Sequence, residues 1–233
     1  MCLFRRLSEL FYRYVLDPLG FYVPRLSRAE KLLPEEIRLK WEREQEALKE
    51  RLVLEDTEDL KVMATLGPED TDLIKQFYIA GVDISFIKGD DVNACAALVI
   101  LSYPQLEVAY NDCQMVKLTA PYIPGFLGFR EVPMIQKLFD QLKRERPDLV
   151  PHCVMFGSAC HLGVSLGLPC IGVAKKLFHV DGLEKDASHK EKNPIYISQG
   201  HLVSMDTSVR LVQHCCRHRV PEPVRLGSYA GIN

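Results

Sequence analysis

Apolar residues recur at helical spacing in the first third of the chain. If this stretch is a helix, four apolar residues lie on one of its faces, namely Ile37, Trp41, Leu48 and Leu52. The pattern predicts an amphipathic helix over positions 34–52. The preceding residues show no clear period, so positions 1–33 are predicted to be a poorly ordered N-terminal extension and positions 34–233 to form the folded domain.

Three strand-like segments follow this helix. The stretch AGVDISFI begins at Ala80, a longer apolar run covers 93–103, and a third run covers 106–118. The last two runs are joined at Tyr103-Pro104, which is typical of a tight connection. The three segments therefore predict an antiparallel meander.

The hydrophobic period then changes from two to about 3.6. A helix is predicted from Pro133, a proline being favoured at a first helical position. The later segments alternate between strand and helix, with strands at 150–155 and 170–174 and helices at 157–166 and 204–216. Three antiparallel strands followed by alternating helices and strands predict an α/β fold with a mixed sheet, in the order of a ribonuclease H-like domain.

One carboxylate interrupts the apolar run of the first predicted strand. Asp83 lies between Val82 and Ile84, where an unpaired buried charge costs several kcal/mol. Two interpretations stay open from this stretch alone. Asp83 faces solvent near the end of the strand, or it is a ligand of a metal ion whose other ligands come from elsewhere in the chain.

Composition limits the remaining choices. The chain has 233 residues, 47% of them hydrophobic, which suits one sizeable domain. Its net charge of −2 means that a nucleic-acid surface must be a local patch. The eight cysteines form no C-x-x-C pair and indicate reduced intracellular thiols. Charged residues interrupt the N-terminal apolar stretch, so no membrane span is expected. The expected locations are the cytoplasm and the nucleus, including the nucleolus.

Six longer motifs follow one another in the second part of the chain. They are GVDISF (81–86), PYIPGFLGFRE (121–131), FGSACHLG (156–163), LPCIGVAKK (168–176), ISQGH (197–201) and RVPEPVR (219–225). In this order they resemble the endonuclease V family. The resemblance implies an inosine-specific endoribonuclease or deoxyinosine 3′ endonuclease that uses Mg²⁺, for which Mn²⁺ can substitute. It also implies a monomer that binds inosine-containing single-stranded RNA, with DNA as a further substrate.

The resemblance assigns chemistry to four residues. Asp83 and Glu131 match the metal-binding carboxylates, Lys175 matches a lysine near the scissile phosphate, and His201 matches a histidine near the metal. Carboxylates are the protein ligands that Mg²⁺ prefers, and a lysine stabilises developing negative charge. Taken alone, Glu131 is better explained as a glutamate favoured by the dipole at the N-terminus of a helix, and the eleven-residue motif around it reverses that preference.

The resemblance also assigns substrate contacts. A wedge beside the modified base is formed by Pro121, Tyr122, Ile123 and Pro124. A pocket for the extruded base is lined by Gly125, Leu127, Ala174 and Phe178. Without the resemblance, the PYIP motif is a rigid turn packed on the core. Five basic residues are candidates for a phosphate-binding patch. They are Lys175, Lys176, Arg217, Arg219 and Arg225.

The chain departs from the family pattern at two places. After Met155 the family continues with a Val-Asp-Gly-Asn-Gly turn and a His-x-Arg-Gly segment, which carry the third metal-site carboxylate, and a second block is absent before 193. We therefore expect lowered stability, a frayed strand at 153–155 and impaired activity. Two alternatives are a catalytically inactive inosine-binding or RNA-binding protein and a splice form without function of its own.

Overall fold

A six-stranded mixed sheet carries the fold. The computed structural model describes residues 35–67, 69–70, 75–120, 123, 125–175 and 194–230. The helices are α1 (Glu35–Glu50), α2 (Glu58–Met63), α3 (Leu127–Glu145), α4 (Ala159–Leu166), α5 (Met205–His214) and α6 (Glu222–Ala230). The strands are β1 (Phe77–Phe86), β2 (Asn93–Tyr103), β3 (Val108–Lys117), β4 (Cys153–Phe156), β5 (Cys170–Ala174) and β6 (Tyr196–His201), and a short 3₁₀ helix spans Pro147–Leu149.

The strands lie in the order β3-β2-β1-β4-β5-β6. The first three form the predicted antiparallel meander. In the centre of the sheet, β1, β4 and β5 run parallel to one another. The edge strand β6 is antiparallel to β5. The carboxyl ends of three neighbouring parallel strands therefore meet at one edge of the sheet.

Two hydrophobic cores cover the faces of the sheet, because successive strand residues point to opposite sides. One core joins Ile79 and Met155 of the sheet to α2, α5 and α6. The other joins Val82 and Val154 to α3 and α4. An apolar stripe of α3 is buried against the sheet. It consists of Val132, Ile135, Leu138, Phe139 and Leu142.

The start of α3 differs from the sequence-based expectation. The helix begins at Leu127, six residues before Pro133, and Pro133 lies inside it. A proline inside a helix loses one backbone hydrogen bond. The buried apolar stripe of α3 compensates for that loss, since tertiary packing supplies most of the stability of a helix in a protein.

The central strand β4 is intact, which contradicts the expected fraying at 153–155. All four of its residues are buried, and it pairs on one side with β1 and on the other with β5. Only Gly157 and Ser158 separate β4 from α4. A connection of two residues is enough between a strand and a helix in α/β folds.

Three elements were absent from the predicted pattern. These are α2, β6 and α6. β6 carries the ISQGH motif, and its residues before Gly200 are only half-buried, so its hydrophobic alternation is weak. Within the described ranges, no helix has the length and apolar character that a membrane span needs.

Candidate active site

Asp83 lies at the carboxyl edge of the parallel strands. β1 pairs with β4 from Ile79 to Gly81, and Asp83 follows two residues later, just beyond the end of β4. On its other side Asp83 pairs with Ala97 of β2. The side chain is half-buried. Ligands of open α/β sheets bind outside the carboxyl ends of the strands, so this is a favourable position for chemistry.

Glu131 approaches the same edge from α3. It precedes Val132, which is buried in the core between α3 and the sheet. Burial is the main cause and the negative charge of Asp83 the second, and together they raise the pKa of Glu131 to about 7 against the opposing charge of the Arg130 guanidinium. The structure therefore brings together the two carboxylates that the sequence predicted as metal ligands.

Lys175 is the first residue after β5, at the same edge of the sheet. Its Nζ donates a hydrogen bond to Ser228 Oγ of α6, at 2.5 Å, and Ser228 in turn donates to the Val224 carbonyl at 3.0 Å. α6 lies directly on β1, because a Cβ atom at Gly81 would be 1.9 Å from the Pro223 carbonyl oxygen. α6 thus bridges β1, which carries Asp83, and the end of β5.

His201 lies apart from the carboxylate pair. It is opposite Cys170, at the beginning of β5, whereas Asp83 is near the end of β1, three strands or about 14 Å across the sheet. The residue is 7% exposed, and Nδ1 of its ring accepts a hydrogen bond from Val53 N–H at 3.2 Å. Burial lowers the pKa of His201, and the charge of Arg51 lowers it further. The structure gives His201 a packing role beneath the α1–α2 connection.

The predicted substrate contacts are described only in part. Four of them lie outside the described residues, namely Pro121, Tyr122, Pro124 and Phe178. Gly125 is exposed, while Leu127 at the start of α3 and Ala174 at the end of β5 are half-buried. Ile123 is 3% exposed, so its side chain packs in the interior and does not project as the wedge interpretation expects.

Two residues near the carboxylates were not singled out from the sequence. Arg130 is 7% exposed, donates to the Asp91 carbonyl and stacks over the Phe86 ring, 4.9 Å from its centroid. Its Nε atom is buried without a hydrogen-bond partner. Ser228 is the other residue, since it holds Lys175. The FRE sequence at 129–131 was a usable signal for Arg130, whereas nothing in the sequence pointed to Ser228.

The described part of the site contains two acidic side chains, Asp83 and Glu131. Among the described residues, no group of three or more His, Cys, Asp and Glu side chains is placed to hold a metal ion. This agrees with the short turn after β4, which contains only Gly157 and Ser158 and no acidic side chain. Within the part of the chain that the structure describes, the site rests on two carboxylates and one lysine.

Comparisons with known proteins place this geometry in a family. The Endonuclease V family model matches residues 60–192 and 185–228. Endonuclease V of Mus musculus is 45% identical over an alignment 235 positions long, which covers 82% of this chain and 68% of the mouse protein. Endonuclease V of Homo sapiens is 44% identical over the same length, covering 82% of this chain and 81% of the human protein.

Solved structures agree with the sequence matches. The catalytic domain of human Endonuclease V superposes with a TM-score of 0.76 at 40% identity, covering 86% of this chain and 96% of the human one. Ciona intestinalis Endonuclease V, in complex with a 24mer DNA containing an inosine followed by a ribo-adenosine, superposes with a TM-score of 0.71 at 27% identity, covering 85% and 97%. The predicted ribonuclease H-like fold is thereby confirmed. The chain belongs to the Endonuclease V family of endonucleases, enzymes that act on phosphodiester bonds.

Proposed function

We propose that this protein cleaves inosine-containing nucleic acid on the 3′ side of the inosine, with single-stranded RNA as its preferred substrate and DNA as a second one. The observation that carries the proposal is the pairing of Asp83 with Glu131 at the carboxyl edge of the parallel strands. The Ciona relative, which binds an inosine-containing DNA, supports the choice of substrate.

The donor set of this edge fits a hard divalent cation. Two carboxylates lie close enough for one to raise the pKa of the other, and a cation between them would relieve that repulsion. Asp83 and Glu131 would hold Mg²⁺, or Mn²⁺ in its place. Such an ion, when bound, supplies an activated water and neutralises charge on the phosphate.

Lys175 and α6 would orient the substrate backbone. The Lys175 ammonium is exposed at the end of β5, where a point charge can contact a phosphate oxygen. Its hydrogen bond to Ser228 fixes the side chain before the substrate arrives, so less conformational entropy is lost on binding. Gly125 and Leu127, together with Ala174 at the end of β5, would contact the extruded base.

Two carboxylates in place of three predict slow turnover. Substrate phosphate oxygens and water can fill the remaining coordination positions, but electrostatic stabilisation is reduced, and a loss on the order of 100-fold or more is expected. The second candidate function is an inactive protein that binds inosine-containing RNA. The absence of a third acidic ligand from the described residues favours it. In either case we propose a monomer located in the cytoplasm and nucleus, including the nucleolus.

Cleavage of a single-stranded RNA with one inosine tests the proposal. The assay compares this RNA with an otherwise identical RNA that carries adenosine, in Mg²⁺ and in chelator, for the unaltered protein, Asp83→Asn and Glu131→Gln. Two exposed carboxylates of α3 provide matched controls, Asp140→Asn and Glu145→Gln. Cutting 3′ of inosine that requires Mg²⁺, Asp83 and Glu131, and that both controls retain, is the expected result.

The two candidate functions give different results in this assay. Binding of the inosine RNA without cutting in either Mg²⁺ or Mn²⁺ would establish the inactive binder. Cutting of both RNAs at equal rates would refute inosine specificity, and cutting that survives Asp83→Asn would refute the site.

A further inference from the structure

The helix α1 contacts the turn that precedes α3. The Gln45 side chain donates a hydrogen bond from Nε2 to the Gly125 carbonyl, at 2.8 Å, although the two residues are 80 positions apart in the chain. One turn earlier on the same face, the Trp41 ring lies 5.9 Å from the Phe126 ring. Two neighbouring side chains of α1 thus hold two consecutive residues of the turn.

The turn itself has a fixed backbone shape. Phe126 N–H donates to the Ile123 carbonyl at 3.0 Å, which closes the turn, and Gly125 adopts a φ of +87°. That conformation is unfavourable for residues with a side chain. Ile123 is anchored in the interior, and Gly125 is exposed. The carbonyl of Gly125 therefore points to a defined partner, and Gln45 is that partner.

A cluster of uncharged aromatic rings packs next to the Gln45–Gly125 contact. The Trp41 ring stacks on Phe129 with 5.3 Å between centroids and 12° between planes. The His161 ring of α4 contacts the Phe129 ring edge-on, with 4.7 Å between the two centroids. Burial lowers the pKa of His161 to about 4, so its ring is neutral at physiological pH. A Cβ atom at Gly128 would lie 2.5 Å from His161 Nδ1, so α3 and α4 are in close contact here.

We propose that Trp41 and Gln45 of α1 are positioning residues of the base-recognition site, which hold Gly125 and Phe126 in the orientation that accepts inosine. This inference rests on the proposed function and deepens it. α1 ends at Glu50, before residue 60, where the match to the family model begins. The helix would thus act on specificity through Gly125 and Phe126 without touching the reacting phosphate.

The expected effect of removing the Gln45 contact is a selective loss of affinity. Gln45→Ala deletes one hydrogen bond while alanine maintains the helix, so the fold should persist. Affinity for single-stranded RNA with one inosine should fall about fivefold, in keeping with the net value of a single hydrogen bond. Affinity for the matched adenosine RNA should stay unchanged, because backbone contacts do not depend on the turn.

Fluorescence anisotropy of labelled RNA and emission of Trp41 give two independent readouts. Trp41 is the one tryptophan of the chain, so its emission reports on this cluster directly. We expect saturating inosine RNA to change that emission in the unaltered protein and to change it less in Gln45→Ala. Leu39→Ala is the control, since Leu39 is an uncharged, 42% exposed residue on the opposite side of α1.

The outcomes separate this inference from the proposed function. An inosine preference that survives Gln45→Ala, an equal loss for both RNAs, or an emission that does not respond to RNA would overturn the positioning role. An unaltered protein with no preference for the inosine RNA would refute the proposed function, and the positioning role with it. Thermal unfolding of each variant confirms that it is folded.

Discussion

The carboxyl group of Glu131 is placed where ionisation is costly. Burial and the charge of Asp83 raise its pKa from 4.5 to about 7, and the neighbouring Arg130 guanidinium favours the charged form. At pH 8 the native protein therefore contains two repelling carboxylates at the edge of the sheet. A site that binds a cation has to maintain this repulsion while it is empty, and the repulsion lowers the free energy of unfolding of the metal-free protein.

Glu131→Gln should stabilise the metal-free protein at alkaline pH. Because the folded-state pKa is raised, the native state holds a proton that the unfolded state releases, and stability decreases as pH rises from about 4.5 through about 7. The substitution should increase the free energy of unfolding at pH 8, on the order of 2 to 3 kcal/mol, with little effect at pH 4.5. Denaturant unfolding in chelator at both pH values measures it.

Glu145→Gln is the control for this measurement, because Glu145 is an exposed glutamate on the same helix. Its unfolding free energy should change little at either pH. Equal effects of Glu131→Gln at pH 4.5 and pH 8 would show that the charge of Glu131 is not what destabilises the native state.

Arg130 connects α3 to the β1–β2 turn. Its guanidinium donates to the Asp91 carbonyl while its plane covers Phe86. Arg130→Lys should lower the free energy of unfolding by about 1 to 3 kcal/mol, because an ammonium cannot stack and donate in the same geometry. Chemical denaturation tests this, with exposed Arg144→Lys on the same helix as the matched control. Equal stability of the two variants would mean that the guanidinium geometry is unimportant.

At the scale of elements, α6 depends on one glycine of β1. A Cβ atom at Gly81 would lie 1.9 Å from the Pro223 carbonyl oxygen, and backbone cannot yield as a flexible side chain can. Gly81→Ala should therefore displace α6 and lower the free energy of unfolding by about 1 to 3 kcal/mol or more. Limited proteolysis and thermal unfolding measure this. Gly157→Ala is the control, since no atom lies within 4 Å of its added Cβ; similar losses in both variants would contradict the argument.

The elements that the sequence predicted well are those with long apolar runs. β2 spans Asn93–Tyr103 and β5 spans Cys170–Ala174, as expected, because continuous burial in a sheet leaves a continuous hydrophobic signal. β6 was not predicted, since its residues before Gly200 are only half-buried. α6 was not predicted either, and it contains Pro223 and Gly227, which are poor helix formers.

The candidate site was predictable to a similar extent. The motifs around Asp83 and Glu131 identified both carboxylates, and the structure brings them together. Contacts between distant segments were not predictable, because the period of a helix shows which face is buried and not what covers it. The Gln45 bond to Gly125 and the Lys175 bond to Ser228 are contacts of this kind.

At the scale of the whole molecule, two of the basic residues that the sequence predicts to contact phosphate are already bonded within the protein. The net charge is −2. Arg225 pairs with the buried carboxylate of Glu222, and Arg217 donates to the Gln105 carbonyl. Lys175 is bonded to an uncharged hydroxyl, so its charge stays available to a phosphate. Nonspecific attraction to nucleic acid should therefore be weak.

Binding of single-stranded RNA should depend only moderately on salt. The logarithm of the binding constant is expected to fall with the logarithm of salt concentration with a slope of about −2, since single strands contribute about −0.7 per phosphate neutralised and two or three contacts are expected. Anisotropy titrations between 50 and 300 mM salt, about a sixfold range, measure the slope. The Lys175→Gln variant should reduce it by about one contact. A slope steeper than about −4 would reveal a larger basic surface.

The two-residue turn between β4 and α4 has a consequence for how this fold could change. Gly157 is exposed, and both elements that flank it are firmly packed. Exposed turns tolerate inserted residues. Chain length at this one position can therefore vary without disturbing the sheet, while any acidic side chain carried by an insertion would arrive beside Asp83 and Glu131. Catalytic capacity and folding stability are thus separable, and grafting a longer acidic loop here offers a route to a faster enzyme on an unaltered scaffold.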